Sequence, residues 1–212
     1  MRDSSVIEKT EAQQHVITLP EPVYKSETSV EEAMLKRRSV RDFKDEPLEL
    51  TQIGQLLWAA QGITYTKLRR TIPSAGALYP LEIYLVSGNV KSLDAGVYSY
   101  QPVDHTLTLI KKGDKRNQLS AAALMQEAPK KAPATIVIAV DYHRTTTKYL
   151  KKGNRFVNME VGHSAQNIYL QAVSLKLGVV CMGAFIKSLV KEILQLPKKQ
   201  EPLYLIPVGI CE

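Results

Sequence analysis

The chain of 212 residues is 44% hydrophobic and 23% charged, a balance typical of a globular domain that argues against disorder, collagen and coiled coil. Its formal charge of +7 would suit a nucleic-acid-binding protein, but the basic residues are dispersed over short clusters and no nucleic-acid-binding motif accompanies them. A phosphorylated small ligand accounts for the charge with fewer assumptions, so we expect a small-molecule partner and no nucleic acid.

Nothing in the sequence indicates export or membrane insertion. No apolar run approaches the roughly 20 residues that span a bilayer, and the first residues lack the apolar core of a secretory signal. We therefore expect a cytoplasmic protein without a membrane partner. The two cysteines suggest no disulfide framework, and the four histidines lack the spacing of metal ligands, so no metal site is predicted.

The N-terminal part is predicted to be an extended arm followed by two helices. Residues 1–28 are polar and irregular, and two prolines near their end disfavour helix. Ser29 and Glu32 have the form of a capping box, which predicts a helix that ends near Arg38. Apolar residues then recur at helical spacing up to Gly62, which supplies a stop for a second helix.

The rest of the chain mixes short strands with helices. Strands are predicted at residues 81–87, 97–100, 107–110, 135–140, 179–184 and 203–211, the last broken by Pro207. Helices are predicted from the potential N-cap Asp114 to about Gln126, at about 156–177 before Gly178, and from Ser188 to Leu196. Residues 148–153 are predicted to be a polar, basic connection. Because strands and helices do not alternate regularly, the pattern indicates an α+β fold.

A cluster of positive charge at the end of the first helix is a candidate anion site. Arg37, Arg38 and Arg41 surround Ser39 within five residues. Guanidinium groups are planar and permanently charged, and their paired donors match phosphate oxygens. The alternative is a solvated basic cap that complements the helix dipole.

A loop of small residues follows about thirty residues later. Ser74, Ala75, Gly76 and Ala77 lie between two prolines, so a flat molecule could approach their backbone closely. The alternative is a plain turn. Read together, the basic cluster and the small-residue loop favour a planar cofactor that carries a phosphate.

Three segments resemble the nitroreductase family, and more narrowly its SagB-type dehydrogenase branch, which includes azoline oxidases. They are residues 37–43, residues 73–84, and residues 160–167 together with Leu177-Gly178. The resemblance implies an FMN-binding α+β fold with a central mixed, mainly antiparallel sheet flanked by helices. It further implies an intertwined homodimer with the flavin at the subunit interface. The arm at residues 1–28 would then precede a single domain at residues 29–212.

The resemblance also implies roles for individual residues. The FMN phosphate and ribityl chain would be held by Arg37, Arg38, Ser39 and Arg41. The isoalloxazine ring would be lined by Pro73, Ser74, Ala75, Gly76, Ala77 and Leu78, and approached by Glu160, Gly162, Gly183 and Ala184. Many nitroreductases have Asn where Ala77 stands, so a side-chain hydrogen bond to the flavin is missing here.

The implied activity is hydride transfer through flavin N5 by a ping-pong mechanism. NADH or NADPH would be the donor, and a nitroaromatic or quinone-like molecule the acceptor. One alternative is azoline dehydrogenation on a heterocyclised peptide or related small molecule, in which Lys148 and Tyr149 would act in proton removal. Otherwise these two residues are exposed loop residues. A second alternative is a flavin-binding protein without turnover.

Overall fold

The structure, a computed structural model, describes residues 15–65 and 69–211. Within these ranges the strands are β1 (Val16–Thr18), β2 (Ile63–Tyr65), β3 (Arg69–Arg70), β4 (Leu81–Ser87), β5 (Gly96–Gln101), β6 (Thr106–Lys112), β7 (Ala134–Val140), β8 (Leu177–Val179) and β9 (Glu201–Ile210). The helices are α1 (Val30–Lys36), α2 (Leu50–Gln61), α3 (Arg116–Ala122), α4 (Ala128–Lys131), α5 (Tyr142–Tyr149), α6 (Lys152–Ser174) and α7 (Lys187–Leu194). A 3₁₀ turn covers Ala75–Ala77.

Seven of these strands form one sheet in the order β1-β6-β5-β4-β7-β9-β8. The neighbouring strands pair antiparallel throughout, and Ser39 adds a parallel bridge to Val179 at one edge. β7 lies inside the sheet and every one of its residues is buried, because small and β-branched apolar side chains fill both of its faces. The predicted α+β fold with a mainly antiparallel sheet flanked by helices is confirmed.

Helices cover both faces of the sheet. On one face α2 packs against α6, and Leu57 and Ile168 join a buried cluster with Ile136 of β7. On the other face α3 and α7 pack together, and Val190 joins a second cluster with Val137. Successive residues of β7 therefore serve opposite clusters, as the period of two in a strand requires. No helix in the described ranges is long and apolar enough to cross a bilayer.

The first two helices follow the sequence prediction closely. The hydroxyl of Ser29 accepts a hydrogen bond from the Glu32 N–H at 3.1 Å, so the predicted N-cap is confirmed, but the Glu32 carboxylate pairs with Lys36 instead of returning the bond of a capping box. α1 ends at Lys36, two residues before the predicted end, because Arg37 leaves the helical conformation with φ −53° and ψ 124°. α2 ends at the residue before Gly62, as predicted.

The predicted polar, basic connection at residues 148–153 is shorter than expected, because only Leu150 and Lys151 lie between α5 and α6. Asp141 caps α5 by accepting from a backbone N–H of its first turn, and α5 continues into this range. α6 begins at Lys152, earlier than the predicted start at about 156. A Cβ at Gly153 would lie 2.9 Å from the Cα of Thr146, so this glycine permits α5 to pack directly against the start of α6.

Two other predicted helix starts are wrong in detail. Asp114 lies one residue before the N-cap position of α3, which is Lys115, although its carboxylate accepts from the Arg116 N–H at 2.9 Å and pairs with the Arg116 guanidinium. α3 stops at Ala122, before the predicted end at about 126, because the chain soon turns through two residues of positive φ. α7 begins one residue before Ser188, whose side chain therefore lies in the first turn and not at the N-cap.

The last two strands also differ from the prediction. β8 covers Leu177–Val179, so most of the predicted strand at residues 179–184 is irregular chain. Pro207 does not break β9, since it lies opposite Thr135 in the register with β7. The pairing of β9 with β8 ends at Val208. Beyond β8 the Pro207 carbonyl still accepts from the Val180 N–H at 3.4 Å, and Met182 bridges to Leu205, so the proline keeps its acceptor at this edge and lacks only a donor.

The described part of the predicted arm lies along the domain. Residues 1–14 fall outside the described ranges, and β1 pairs with β6 at the edge of the sheet. Further along, Gln55 of α2 accepts from the Val23 N–H at 2.8 Å and donates to the Val23 carbonyl at 3.0 Å. These two bonds attach the segment before α1 to the body of the protein.

Candidate functional site

The basic segment, residues 37–41, follows α1 and is attached to α6 through one tyrosine. The Arg37 guanidinium lies over the ring of Tyr169, 5.0 Å from its centroid. The Tyr169 hydroxyl is 2.9 Å from the Ser39 hydroxyl and accepts from the Cys181 N–H at 3.0 Å. Because Ser39 also bridges to β8, the segment is fixed between α6 and the edge of the sheet.

The positive charge of the basic segment is not neutralised by neighbouring acids. Among the described residues, no carboxylate pairs with Arg37, Arg38 or Arg41. The nearby Glu32 and Asp42 pair with lysines instead. Arg38 and Arg41 are exposed, and Arg38 also donates to two carbonyls at the end of α1, at 2.9 and 2.8 Å. Such a surface attracts anions, phosphate above all.

The small-residue loop, residues 73–78, forms a tight turn at the start of β4. Ser74 organises it: its hydroxyl accepts from the Tyr79 N–H at 2.9 Å and its carbonyl from the Ala77 N–H at 3.0 Å. Gly76 and Ala77 have φ of 65° and 55°, a conformation that favours glycine and strains alanine. Pro73, Gly76 and Ala77 are exposed, so the loop presents backbone and small side chains to its surroundings.

Glu160 of α6 holds the small-residue loop in place through a hydrogen bond. It is buried in α6, and its Oε1 accepts from the Ala75 N–H at 2.8 Å. Its Oε2 is buried without a hydrogen-bond partner among the described residues. Burial raises the pKa of Glu160, although hydrogen bonds from Ala75 and Ser74 and the charge of His163 act in the opposite direction. Charge and loop position are therefore linked at this carboxyl.

Lys148 and Tyr149 lie against the outer side of the same loop. If Gly76 carried a Cβ, that atom would be 3.0 Å from the Lys148 Nζ and 2.9 Å from the Tyr149 hydroxyl. The Tyr149 ring packs edge-on against Phe156 with centroids 5.2 Å apart. The end of α5 therefore places an amine and a phenol beside Gly76, which their positions in the sequence did not indicate.

The other predicted contacts of a cofactor lie apart from the small-residue loop. Gly162 is on the exposed face of α6, where a Cβ would meet no atom within 4 Å. Gly183 and Ala184 are also exposed, and a Cβ at Gly183 would lie 3.6 Å from the ring of Tyr204 in β9. The Ala184 carbonyl accepts from Gln126 at 3.2 Å.

The structure thus gathers the predicted residues into two groups joined by α6. One group is attached at Tyr169 and the other at Glu160. Nine residues of helix between these two positions correspond to about 13 to 14 Å along the helix axis. In a single chain, the basic segment and the small-residue loop are therefore distinct surfaces.

Sequence reasoning missed Tyr169 and a charged cluster beside the small-residue loop. Arg70 lies over the Tyr79 ring, 4.7 Å from the centroid, and Arg144 donates to the Tyr79 carbonyl at 2.9 Å and pairs with Glu82. The sequence held two signals, Arg69-Arg70 directly before the small-residue loop and Glu82, a charge at the start of an otherwise apolar strand. Nothing in the sequence pattern distinguished Tyr169 from a packing residue of α6.

Comparison with known proteins places these features in context. A nitroreductase-like protein of Methanocaldococcus jannaschii, MJ1384, is 45% identical over 183 residues, which cover 86% of this chain and 91% of that protein. The crystal structure of a nitroreductase-like protein from Anabaena variabilis has a TM-score of 0.83 at 29% identity and covers 94% of this chain. This chain spans 42% of that longer chain.

Two weaker likenesses are also informative. The microcin B17-processing protein McbC of Escherichia coli is 28% identical over 137 residues, 62% of this chain and 50% of McbC. The NADPH:FMN oxidoreductase of Vibrio harveyi, solved with NAD⁺, has a TM-score of 0.61 at 22% identity, covering 86% of this chain and 69% of that one. At this identity the likeness concerns the fold alone.

The family model for the nitroreductase family matches residues 34–210. The chain therefore belongs to the nitroreductase family.

Proposed function

We propose that the protein is an FMN-dependent oxidoreductase that passes two electrons from NADH or NADPH to a small nitroaromatic or quinone-like acceptor in a ping-pong reaction. The observation that carries this proposal is the basic segment. Its three guanidiniums have no carboxylate partner among the described residues, and one of them is held in place by Tyr169. A nitroreductase-family chain with uncompensated phosphate-binding groups at this position is suited to a phosphorylated flavin.

The two surfaces fit the two ends of FMN. Arg37, Arg38, Arg41 and the Ser39 hydroxyl would hold the phosphate and ribityl chain, because they offer charged and neutral donors together. The small-residue loop would lie against the ring, since its exposed residues are small and Glu160 holds its backbone. When bound, FMN supplies two-electron chemistry at N5.

The residues around the loop would then control access to the ring. Lys148 and Tyr149 border Gly76, so they would narrow the space above the loop. A single narrow space suits a ping-pong order, because the donor must leave before the acceptor binds. The Lys148 amine and the Tyr149 hydroxyl can each hold a proton beside the reacting molecule.

We further propose that two copies of the chain form the working unit, with the flavin at their interface. The basic segment and the small-residue loop lie on distinct surfaces of one chain. Large apolar side chains are exposed on α1 and α6 near these surfaces: Met34 is 58% exposed, Leu35 73% and Met159 45%. Exposed apolar side chains of this size are typical of surfaces that bind another protein.

The test is a spectrum of the purified protein with FMN. The protein is saturated with FMN, freed of excess cofactor and placed under anaerobic conditions, and NADH or NADPH is then added. The proposal expects retained flavin, bleaching of its visible band, and recovery of the band when a nitroaromatic is added. Flavin that is retained but not bleached by either nicotinamide would indicate binding without turnover. Protein that retains no flavin would refute the proposal.

A second candidate function is azoline dehydrogenation, favoured by the placement of Lys148 and Tyr149 at Gly76. In this case the substrate itself supplies the hydride and dioxygen is the final acceptor, while the Lys148 amine receives the ring proton. The likeness to McbC supports this candidate. It predicts that a thiazoline-containing peptide bleaches the flavin without any nicotinamide. Bleaching by a nicotinamide and not by the peptide would reject this second candidate.

A further inference from the structure

We propose that the protein recognises an acidic group, a carboxylate or a phosphate, on the molecule that reacts at the small-residue loop. This inference deepens the proposed function and rests on it. The acidic group would bind in a cavity of about 560 Å³ beside the loop, here named the arginine cavity. Its lining includes Arg69, Arg70, Thr71, Pro73, Ala77 and Tyr79.

Two guanidiniums give the arginine cavity a positive charge that no acid cancels. The Arg70 guanidinium lies 4.7 Å from the centroid of Tyr79, and the Arg69 guanidinium lies 5.8 Å from that of Tyr65. Neither arginine forms an ion pair with a carboxylate in the part of the chain that the structure describes. Stacking on tyrosine rings orients the two side chains while leaving their charge available.

Polar groups without partners concentrate at this place. The Nε of Arg70 and the Oγ1 of Thr71 are buried without a hydrogen-bond partner among the described residues. Gln61, which is fully buried, accepts from Arg70 at 2.9 Å, and its own Nε2 also lacks a partner in the described ranges. Of the residues that line the cavity, Arg70 can only donate through its Nε, so a group there that satisfied it must accept a hydrogen bond. An oxyanion does so and balances the charge as well.

The neighbouring acid does not fill this role. Glu82 is paired with Arg144, which also donates to the Tyr79 carbonyl. Burial lowers the pKa of Arg70. The negative charge of Glu82, which does not form an ion pair with Arg70, only partly opposes this effect. A bound anion would offset the cost of burying the guanidinium, as a direct ion-pair partner does.

The position of the cavity identifies which molecule carries the acid. Pro73 and Ala77 belong both to the arginine cavity and to the small-residue loop, so the two spaces adjoin. The acidic group must therefore lie close to the reacting ring. A phosphate at the far end of a dinucleotide does not meet this condition. The class indicated is an aromatic or quinone-like acceptor with its own carboxylate or phosphate substituent.

The experiment compares 4-nitrobenzoate with 4-nitrobenzamide, which differ little except in charge, using the FMN-loaded protein and NADH or NADPH. We expect the wild type to prefer the acid in kcat/KM. Arg69→Gln and Arg70→Gln should lower the acid-to-amide ratio by about tenfold, the size expected for one charge-assisted contact. The control is Lys91→Gln. Lys91 is paired with Glu49, and neither residue lines the arginine cavity, so the acid-to-amide ratio should stay unchanged.

Two further measurements separate the possible failures. Calorimetric titration with 4-nitrobenzoate, without nicotinamide, tests recognition even if no turnover occurs, and binding at least about tenfold weaker in Arg69→Gln is expected. Arg70→Lys keeps the charge without the planar donors, and a thermal unfolding curve confirms that each variant folds. No preference for the acid in the wild type, or equal binding by wild type and Arg69→Gln, would overturn the inference while leaving the proposed function intact. If NADH and NADPH fail to reduce the flavin while 4-nitrobenzoate binds normally, the proposed function is refuted and the inference about the acidic group stands.

Discussion

Replacing Arg37 by alanine tests the proposed phosphate contact most directly. A hydrogen bond to a charged group is worth about 1.5 to 3 kcal/mol, and about 1.4 kcal/mol corresponds to a factor of ten in Kd. Loss of one such contact should therefore raise the Kd for FMN by roughly 10- to 150-fold. Because Arg37 has no carboxylate partner among the described residues, the substitution leaves no acid unpaired there.

The structure also separates binding from stability in this variant. The Arg37 guanidinium lies over Tyr169, and an exposed contact of this kind is worth about 0.5 to 1 kcal/mol. The unfolding free energy should fall by no more than that amount, because the hydroxyl of Tyr169 keeps its bonds with Ser39 and Cys181. Urea denaturation without FMN measures this part alone.

The matched control is Lys36→Ala, one residue earlier. It removes the same unit of charge, but Lys36 is exposed and paired with Glu32 on α1. Quenching of free FMN fluorescence by apoprotein gives the Kd of each variant at two salt concentrations. We expect less than a twofold change for Lys36→Ala and a weaker salt dependence for Arg37→Ala. Equal effects of the two substitutions, or no effect of Arg37→Ala, would refute the contact.

Three other substitutions probe the small-residue loop. Gly76→Ala should lower the unfolding free energy by about 1 to 2 kcal/mol in urea denaturation, because its φ of 65° strains alanine and the new methyl group meets Lys148 and Tyr149. Glu160→Gln removes a buried acid whose pKa is raised by burial. The protonated Glu160 stabilises the fold at low pH. This contribution is lost as the pH rises from 4.5, the ordinary pKa of a glutamate, through the higher pKa of Glu160 in the folded state. The stability of the variant relative to wild type should therefore rise with pH over this interval. Lys148→Ala should slow turnover of the nitroaromatic or quinone-like acceptor. The FMN content of the variant, measured by chromatography of the released flavin, should be unchanged.

Each of these expectations has a clear contrary outcome. Full stability of Gly76→Ala would mean that the loop relaxes without cost. A stability difference between Glu160→Gln and wild type that does not change with pH would show that the carboxyl is equally charged in the folded and unfolded states. Loss of FMN from Lys148→Ala would show that the amine holds the cofactor and does not serve the reacting molecule.

Local signals in the sequence predicted much of the fold. The hydroxyl of Ser29 caps α1, Gly62 follows the end of α2, and the apolar, β-branched run at residues 135–140 is buried in β7. These features depend on hydrogen bonds and burial patterns within a few residues, which the sequence displays directly. The α+β class follows from their order along the chain.

Where the prediction was wrong, contacts between distant residues overrode the local pattern. α5 contains three consecutive threonines, which have low helix propensity, and the segment shows no apolar stripe. It is nevertheless helical, because Gly153 lets it pack against the start of α6. Pro207 is tolerated in β9 because its carbonyl still accepts from the Val180 N–H, in the irregular chain that follows β8. Neither contact leaves a trace in the spacing of nearby residues.

The candidate site shows the same division. Its residue types were predicted from the basic cluster and the small residues, since charge and side-chain size are visible in sequence. Their grouping was not, because the proximity of Lys148 to Gly76 depends on how α5 and the turn before β4 meet in space. The arginine cavity, by contrast, is lined by residues 69–79, which are close in sequence, so its two arginines were visible there and only their stacking on tyrosine rings was not.

The uninterrupted length of α6 sets a rule for redesign. Its 23 residues include Glu160 and Tyr169, nine positions apart, so one continuous helix joins the two surfaces. A substitution that tilts this helix would disturb cofactor retention and acceptor choice at once. Changes of specificity are therefore best introduced outside the helix, in the small-residue loop or the basic segment, where each property can be altered without the other.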